Sequence, residues 1–340
     1  MSDKPLVSIQ IVVYNGEKYI RHCLNTVKNQ TYENLEVIVF DNNSTDRTRE
    51  IVQEEYSNYT LVAHPANLGM WPGQEKAMSY SRGEYIVVLS VDVMLDEHFV
   101  EKAVEAIERD SQIGAVQGKI YQYQFTQLLD GSYRTNRIID TCGFILSRSR
   151  KVGNIGHGQQ DGRQFNEPKE IFAVEGAVPM FRRKALEDSR IDGTVTDHDF
   201  FWYGDDLDLP WRMRLFGWKQ FYTPQATAYH NRSTTKRPGR FLRLGTLAQR
   251  RAIPVEKRRL DWANVRFTII KNDYIINILK DLPFILAREI AIFGYMLLLE
   301  PKVLTAWARF FRLLPSMLHK RGFIMEEAKA TPAEIHRWFV

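Results

Sequence analysis

Three short apolar runs in the first hundred residues each end on polar or acidic side chains. Val7 to Val13 runs into Tyr14-Asn15, Val37 to Phe40 into Asp41-Asn42-Asn43-Ser44, and Tyr85 to Leu89 into Ser90-Val91-Asp92. A parallel strand covered by helices on both faces reads as such an unbroken Val/Ile/Leu/Phe run, because neither face meets water. Helical patterns follow: Tyr19, Ile20, Cys23, Leu24 and Val27 after the first run, and Ile51, Val52 and Tyr56 after the second, with Asn43 and Ser44 placed as N-caps. The alternation predicts an α/β chain with a mostly parallel central sheet and further strands at Thr60 to Ala63 and Ile113 to Tyr121. A charged, hydroxyl-rich ligand is expected in the crevice beyond the strand ends.

At 340 residues and 44% hydrophobic content the chain buries a substantial core and is not a disordered polymer. Cys23 and Cys142 lack metal-ligand spacing, and Cys23 falls on the apolar face of a predicted helix, so buried free thiols in a reducing compartment are expected. The first residues lead directly into a strand with neither a basic stretch nor an apolar leader, which predicts a cytoplasmic location. The net charge of +5 is unevenly placed: Arg232 to Leu260 holds ten Lys/Arg against the single acid Glu256. Such a segment wants an anionic partner. A membrane surface fits; nucleic acid is not expected, because neither a recognised motif nor a repeated aromatic platform accompanies the charge. These shifts divide the chain into an α/β region 1–231, a basic connector 232–260 and a C-terminal helical region 261–340.

Several local patterns bear on chemistry. Gly153 to Gly162 neither follows a buried strand nor opens an apolar helix, and reads as a surface loop. The first strand turns through Tyr14-Asn15-Gly16-Glu17 without a Gly-rich dinucleotide fingerprint, which argues against a nicotinamide-binding fold. Asp41 stands either as an acceptor for a base or ribose or as a cap. Asp92 can hold a divalent cation against a diphosphate, since Mg²⁺ and Mn²⁺ take one or two carboxylates plus phosphate oxygens and water. Asp205, Asp206 and Asp208 lie among Phe200, Phe201, Trp202, Tyr203 and Trp211. Three crowded, partly buried carboxylates need a metal, an arginine or a proton to resolve their repulsion, and Arg212 and Arg214 are the partners nearest in sequence. One of these acids, its pKa raised, can act as a general base. His230 follows a strand pattern and is either a metal ligand or a satisfied core histidine, the second being the reading a lone His favours. Glu170 to Phe181 reads as one apolar strand through Glu175-Gly176-Ala177, with a helix near Arg183.

Leu282 to Leu299 is nearly long enough to cross a bilayer, but Arg288 and Glu289 near its middle each cost ~2.5 to 3.5 kcal/mol at a helix centre. A spanning helix is therefore not expected. Trp307, Phe310, Phe311, Leu314, Met317 and Leu318 interleave with Lys302, Arg309, Arg312, Lys320 and Arg321, a pattern that suits a helix packed on the rest of the chain or one lying among lipid headgroups, the second being favoured by the basic segment before it.

Taken in order, these segments resemble family 2 glycosyltransferases of the GT-A fold, and within them bacterial rhamnosyltransferase-like enzymes. The resemblance runs from Pro5 to about Ser233, with a weaker match at Lys280-Asp281-Leu282-Pro283. Its motifs are Val7-Ser8-Ile9 through Tyr14-Asn15, Asp41-Asn42-Asn43-Ser44-Thr45-Asp46, Asn67-Leu68-Gly69, Leu89-Ser90-Val91-Asp92, Gly176 before Phe181-Arg182-Arg183, and Asp205-Asp206-Leu207-Asp208-Leu209 with Arg212, Gly217-Trp218 and His230. Ser90-Val91 and Asp205 depart from the family pattern, which has a second acid or Asn-Pro before the metal-binding Asp and a Glu before the catalytic one. Trp71-Pro72-Gly73-Gln74 departs as well.

The resemblance implies a donor site lined by Tyr14, Asn15, Asp41, Asn43, Asn67, Gly69 and Asp92. It implies an Mg²⁺ or Mn²⁺ site on Asp92 and His230, Asp206 as the base, and an acceptor side at Gly176, Trp202, Asp205 and Arg212. The expected reaction is inverting transfer of a sugar, rhamnose from dTDP-rhamnose or a hexose from a UDP-sugar. The acceptor is a membrane-linked saccharide or lipid diphosphate in surface-polysaccharide synthesis, and the protein sits peripherally on the inner face of the cell membrane. Two other classes compete. A sugar nucleotidyltransferase wants a Gly-rich, basic loop after the first strand, which is lacking; a noncatalytic membrane- or polyanion-binding module is opposed by the intact acidic cluster. The oligomeric state is left open.

Overall fold

The computed structural model describes residues 4–202, 204, 206–231 and 253–340. Most of the basic connector and Asp205 thus lie outside the described residues.

The first three apolar runs form β1 (Val7–Val13), β2 (Leu35–Asp41) and, after β3 (Thr60–Ala63), β4 (Tyr85–Val88). They pair in parallel in the order β3-β2-β1-β4, separated in the chain by α1 (Glu17–Lys28), α2 (Thr48–Glu55) and α3 (Met70–Met78). Every residue of β1 is buried, as a doubly covered strand requires. Each Val or Ile withdrawn from water in this way contributes roughly 1.5–3 kcal/mol. The sheet continues through β5 (Val93–Leu95), β6 (Ile113–Gln122), β7 (Ile139–Thr141), β10 (Lys169–Ile171), β11 (Met180–Arg182) and β12 (Lys219–His230), with α4 (Phe99–Ile107) between β5 and β6. β11 inserts antiparallel between β4 and β6, and β12 lies parallel to β6.

Two expectations are corrected here. Glu170 to Phe181 is not one strand: it divides into β10 and β11, because the Glu175 N–H turns to the Gln117 side chain (2.7 Å) and its carboxylate takes the Ala177 N–H (3.0 Å). The helix after it is α6 (Arg183–Asp188), α5 (Phe125–Leu129) having followed β6. The loop expected over Gly153 to Gly162 is corrected only at its start: Gly153 and Asn154 belong to β9 (Val152–Asn154), which forms a hairpin with β8 (Phe144–Leu146), and a turn follows.

After α7 (Asp208–Leu215), the C-terminal part comprises α8 (Val255–Asn272), α9 (Ile275–Lys280), α10 (Leu282–Leu299), α11 (Ala306–Glu327) and α12 (Pro332–His336). Here the sequence reading of the aromatics is overturned for two residues. Trp307 and Phe310 pack against Trp262 and Phe267 of α8 in a helix–helix core, with ring centroids 4.8 Å apart for Trp262–Trp307 and 5.3 Å for Phe267–Phe310. Met317 is buried as well, while Phe311 and Leu318 remain exposed. A second core joins Phe172, Trp211 and Leu215 to Ile324, Ile335 and Phe339, so the chain's end tucks back onto the sheet domain.

Candidate active site

The register that pairs Val13 with Asp41 brings the ends of β1 and β2 level. The Asn15 N–H donates to Ser44 Oγ (2.9 Å), and the Thr45 N–H donates to Asn15 Oδ1 (2.8 Å). Asn15 and Asn43 both have positive φ, a conformation asparagine adopts more readily than most residues. Tyr14 stands exposed beside them. Asp41 is fully buried and engaged within the chain, accepting from the Ser44 N–H and from Arg49 Nε (2.5 Å). A local turn and the ion pair therefore engage the carboxylate expected at the base or ribose, and because α2 begins only at Thr48, Asn43 and Ser44 do not cap it.

Sequence reasoning did not single out Asn42. Its amide donates to Asn67 Oδ1 (3.0 Å) and to the Gly69 carbonyl (2.9 Å), and its Oδ1 accepts from the Leu68 N–H (2.8 Å). It latches the Asn67–Gly69 turn to the end of β2. Gly69 has φ of 90°, and a Cβ there would lie 2.1 Å from the Phe201 carbonyl oxygen. Only glycine allows both that backbone and that approach.

Asp92 and His230 are brought together from opposite parts of the chain. β12 pairs His230 with Val93, and the Asn231 N–H and Tyr123 hydroxyl both donate to the Asp92 carbonyl, at 3.1 and 3.0 Å. His230 Nε2 ends 3.6 Å from Asp92 Oδ2, while Nδ1 lies 2.9 Å from Oδ2 of buried Asp140 on β7. Burial pulls the His230 imidazolium down, but Asp92 and Asp140 outweigh it and push the pKa up to about 10.

The donor set fits a divalent cation. A carboxylate with 30% of its side chain exposed converges with an imidazole whose other nitrogen is fixed by a carboxylate, the outer-shell partner typical of metal-ligating histidines. No group of three His, Cys, Asp or Glu able to enclose a metal occurs among the described residues. That suits a cation completed by phosphate oxygens and water rather than by a protein cage.

Gly176 makes room for Asp206. A Cβ on it would lie 2.9 Å from Asp206 Cβ and 3.4 Å from Trp71 Cζ2, so the absent side chain admits half-buried Asp206 against the backbone. Trp202 is exposed nearby in the chain, with the Lys257 ammonium 4.0 Å from its ring centroid and its carbonyl held by Asn264 (3.0 Å).

The partners of Asp208 correct the sequence reading. They are Lys271 Nζ (2.9 Å) and Asn272 Nδ2 (2.8 Å) from α8, with Arg212 farther away at 3.5 Å. Arg212 is buried rather than set toward an acceptor, and its guanidinium donates to the Ser189 and Val195 carbonyls. Arg214 goes to Glu170 and to the Ile171 and Phe172 carbonyls. Lys271 also holds Asp197, which Lys320 of α11 reaches from the other side while binding Asp199 (2.7 Å). Burial alone would raise the Asp197 carboxyl; the two ammonium groups outweigh it and keep the pKa well below the usual carboxylate range.

Comparison with known proteins places this arrangement. Among solved structures, the Pyrobaculum calidifontis mannosyltransferase PcManGT, in complex with GDP-Man and Mn²⁺, is similar over 99% of this chain and 88% of its own, with TM-score 0.51 and 17% identity. S. aureus TarS 1-349 in complex with UDP-GlcNAc is similar over 98% and 90%, with TM-score 0.54 and 14% identity. At these identities the likeness is one of fold, and the fold is GT-A. Chondroitin synthase of Escherichia coli is 35% identical over 145 residues, which make up 42% of this chain and 19% of that protein. The chain spans less than half the length of the curated relatives it matches. The model of the family Glycosyl transferase family 2 matches residues 8–190, more than half of the chain, and the chain therefore belongs to that family.

Proposed function

We propose that the protein is an inverting glycosyltransferase that moves a sugar from a nucleotide-activated donor onto a membrane-linked saccharide or lipid-diphosphate acceptor in surface-polysaccharide synthesis. It works in the cytoplasm, peripherally on the inner face of the cell membrane. The donor is dTDP-rhamnose, as the resemblance implies, or a UDP-hexose. The observation that carries the reading is the Asp92–His230 pair, 3.6 Å apart with Asp140 behind it, at the sheet edge that the Asn67–Gly69 turn and Asn15 also line.

Asp92 and His230 would hold Mg²⁺ or Mn²⁺, which neutralises charge on the departing nucleoside diphosphate. Asp206, pressed against Gly176, takes the proton of an acceptor hydroxyl. The freed oxygen attacks the anomeric carbon on the face opposite the diphosphate, which inverts its configuration. Trp202 and Asp205 complete the acceptor side, with Tyr14, Asn15, Asn43, Asn67 and Gly69 around the donor.

The test is a donor screen on purified protein with Mg²⁺ or Mn²⁺ and a lipid-extract acceptor, following nucleoside diphosphate release from dTDP-, UDP- and GDP-sugars. Asp206→Asn is expected to lose ~10²- to 10⁴-fold in turnover while still binding donor. Wild-type protein that neither binds nor turns over any donor would sink the proposal.

A further inference from the structure

α10 is built with its charges inward and its apolar side chains outward. Leu282, Leu286, Ile290, Phe293 and Leu297 recur at three- and four-residue spacing, forming one stripe, and all are exposed, Ile290 at 70%. Eleven of the twenty-one large apolar side chains exposed among the described residues fall between Ile275 and Leu299. Met296 is the only buried side chain of α10. Arg288 and Glu289 face the protein, paired with each other (2.9 Å) and, through Glu289, with Arg266 of α8 (3.0 Å).

The charge around this stripe is one-sided. From Tyr274 to Lys302, which holds α9 and α10, the sequence has three acids, all engaged by cations; the next acids, Glu326 and Glu327, are exposed at the C-terminal end of α11. Asp281 accepts from Arg148, Arg150 and His336, Glu289 from Arg266 and Arg288, and Glu300 from Arg258 (2.9 Å). Lys280, Lys302 and Arg312 remain exposed, the first two just beyond the two ends of α10. A second copy of this chain docked on the stripe would set these cations against their equals. Anionic lipid headgroups complement them.

Crossing the bilayer is excluded by the same ion pairs. Asp281 at the start of α10 is clasped by Arg148 and Arg150 next to β8 and β9, and Glu300 at its end by Arg258 of α8. Both ends are tied to one folded body, whereas a spanning helix needs them on opposite sides of about 30 Å of hydrocarbon.

We infer that α9 and α10 form the membrane-docking face, with α10 lying in the plane of an anionic leaflet over its length of about 27 Å. This deepens the proposed function by naming the surface through which a membrane-held acceptor is met, and rests on that reading only for the acceptor. α8 links the face to the site, contacting Glu289 through Arg266 and the Trp202 carbonyl through Asn264.

The test is flotation of the full chain with vesicles of phosphatidylcholine alone or with 30% phosphatidylglycerol, for wild type, Ile290→Glu/Phe293→Glu and Lys280→Glu/Lys302→Glu. Wild type is expected to float with the anionic vesicles, less so in high salt. The apolar double variant should lose at least ten-fold in partitioning, and each lysine reversal roughly five-fold or more. Unchanged flotation of Ile290→Glu/Phe293→Glu overturns the assignment, as does a lipid-free wild-type dimer that this variant disperses. Donor binding, measured on the same samples, separates the two readings: vesicle binding without donor binding breaks the transferase and leaves the docking face standing.

Discussion

The carboxyl edge of the sheet and the helices after Val255 are built to opposite rules. At the sheet edge the apolar side chains are inside and polar groups such as Tyr14, Asn15 and Asp92 stand at the end of the strands. In the helical region part of the charge is inside, with Lys271, Asp273 and Asp281 fully buried, while leucines and isoleucines of α9 and α10 stand in solvent. The first arrangement leaves polar groups for a ligand. The second uses its charges to fix geometry and leaves an apolar surface exposed, the face proposed above to meet a lipid leaflet. A buried ion pair is a poor source of net stability but an effective pin, because removing one member strands the other.

The contrast breaks most severely at its junction. Lys271→Met leaves Asp197 and Asp208 buried without their shared cation, and is expected to cost about 3–5 kcal/mol. Urea unfolding read by intrinsic fluorescence measures it, and a loss under 1 kcal/mol would mean that solvent already compensates these acids.

Acid removes part of the same interaction. Asp197 has a folded-state pKa depressed below its ordinary 3.8, so its contribution is complete above that value and is lost as pH falls through the lower, folded one. Thermal melting followed from pH 6 down to pH 2 should therefore show wild type losing stability below about pH 4. Lys271→Met is expected to lose less over that interval, and parallel curves would refute the assignment.

At the sheet edge, Asp140→Asn keeps the shape but weakens the carboxylate behind His230. Affinity for Mn²⁺ in the presence of nucleoside diphosphate should fall about 10- to 100-fold by calorimetry, with the fold unchanged. Equal affinity in both proteins would leave His230 as a core histidine.

The smallest effect lies on the outer stripe. Ile290→Ser is expected to shift stability by no more than about 0.5 kcal/mol, as for an exposed site with no partner. A larger loss in differential scanning calorimetry would show that the stripe is already covered by protein in solution.

Much of the fold was legible because buried parallel strands and their following helices carry local signatures: β1, β2, β3 and β4 lie where the apolar runs place them. Motif order also named Asp92 and His230, which the fold brings to 3.6 Å of each other. What stayed hidden were partners supplied by distant segments. Asp140, Asn42 and Lys271 lie 90, 25 and 63 positions from the groups they hold. Arg212 and Arg214 were chosen for the acidic cluster by sequence proximity; Arg212 does lie 3.5 Å from Asp208, but its hydrogen bonds go to backbone carbonyls, and Arg214 goes to Glu170 and to backbone carbonyls. The interfacial reading of Trp307 and Phe310 failed for a related reason. Aromatics interleaved with basic residues describe a helix packed on another helix as well as one lying on lipid, and only the position of α8 distinguishes them.

The Lys271–Asp208 contact also bears on modularity. The sequence divides naturally near residue 231, where composition changes, but the fold does not come apart there. A chain cut at that point would keep every motif of the sheet edge and lose the lysine that neutralises an acid two residues from Asp206. Exchanging the C-terminal helices between relatives would keep Asp208 neutralised only where the incoming helices bring a cation to the same buried position.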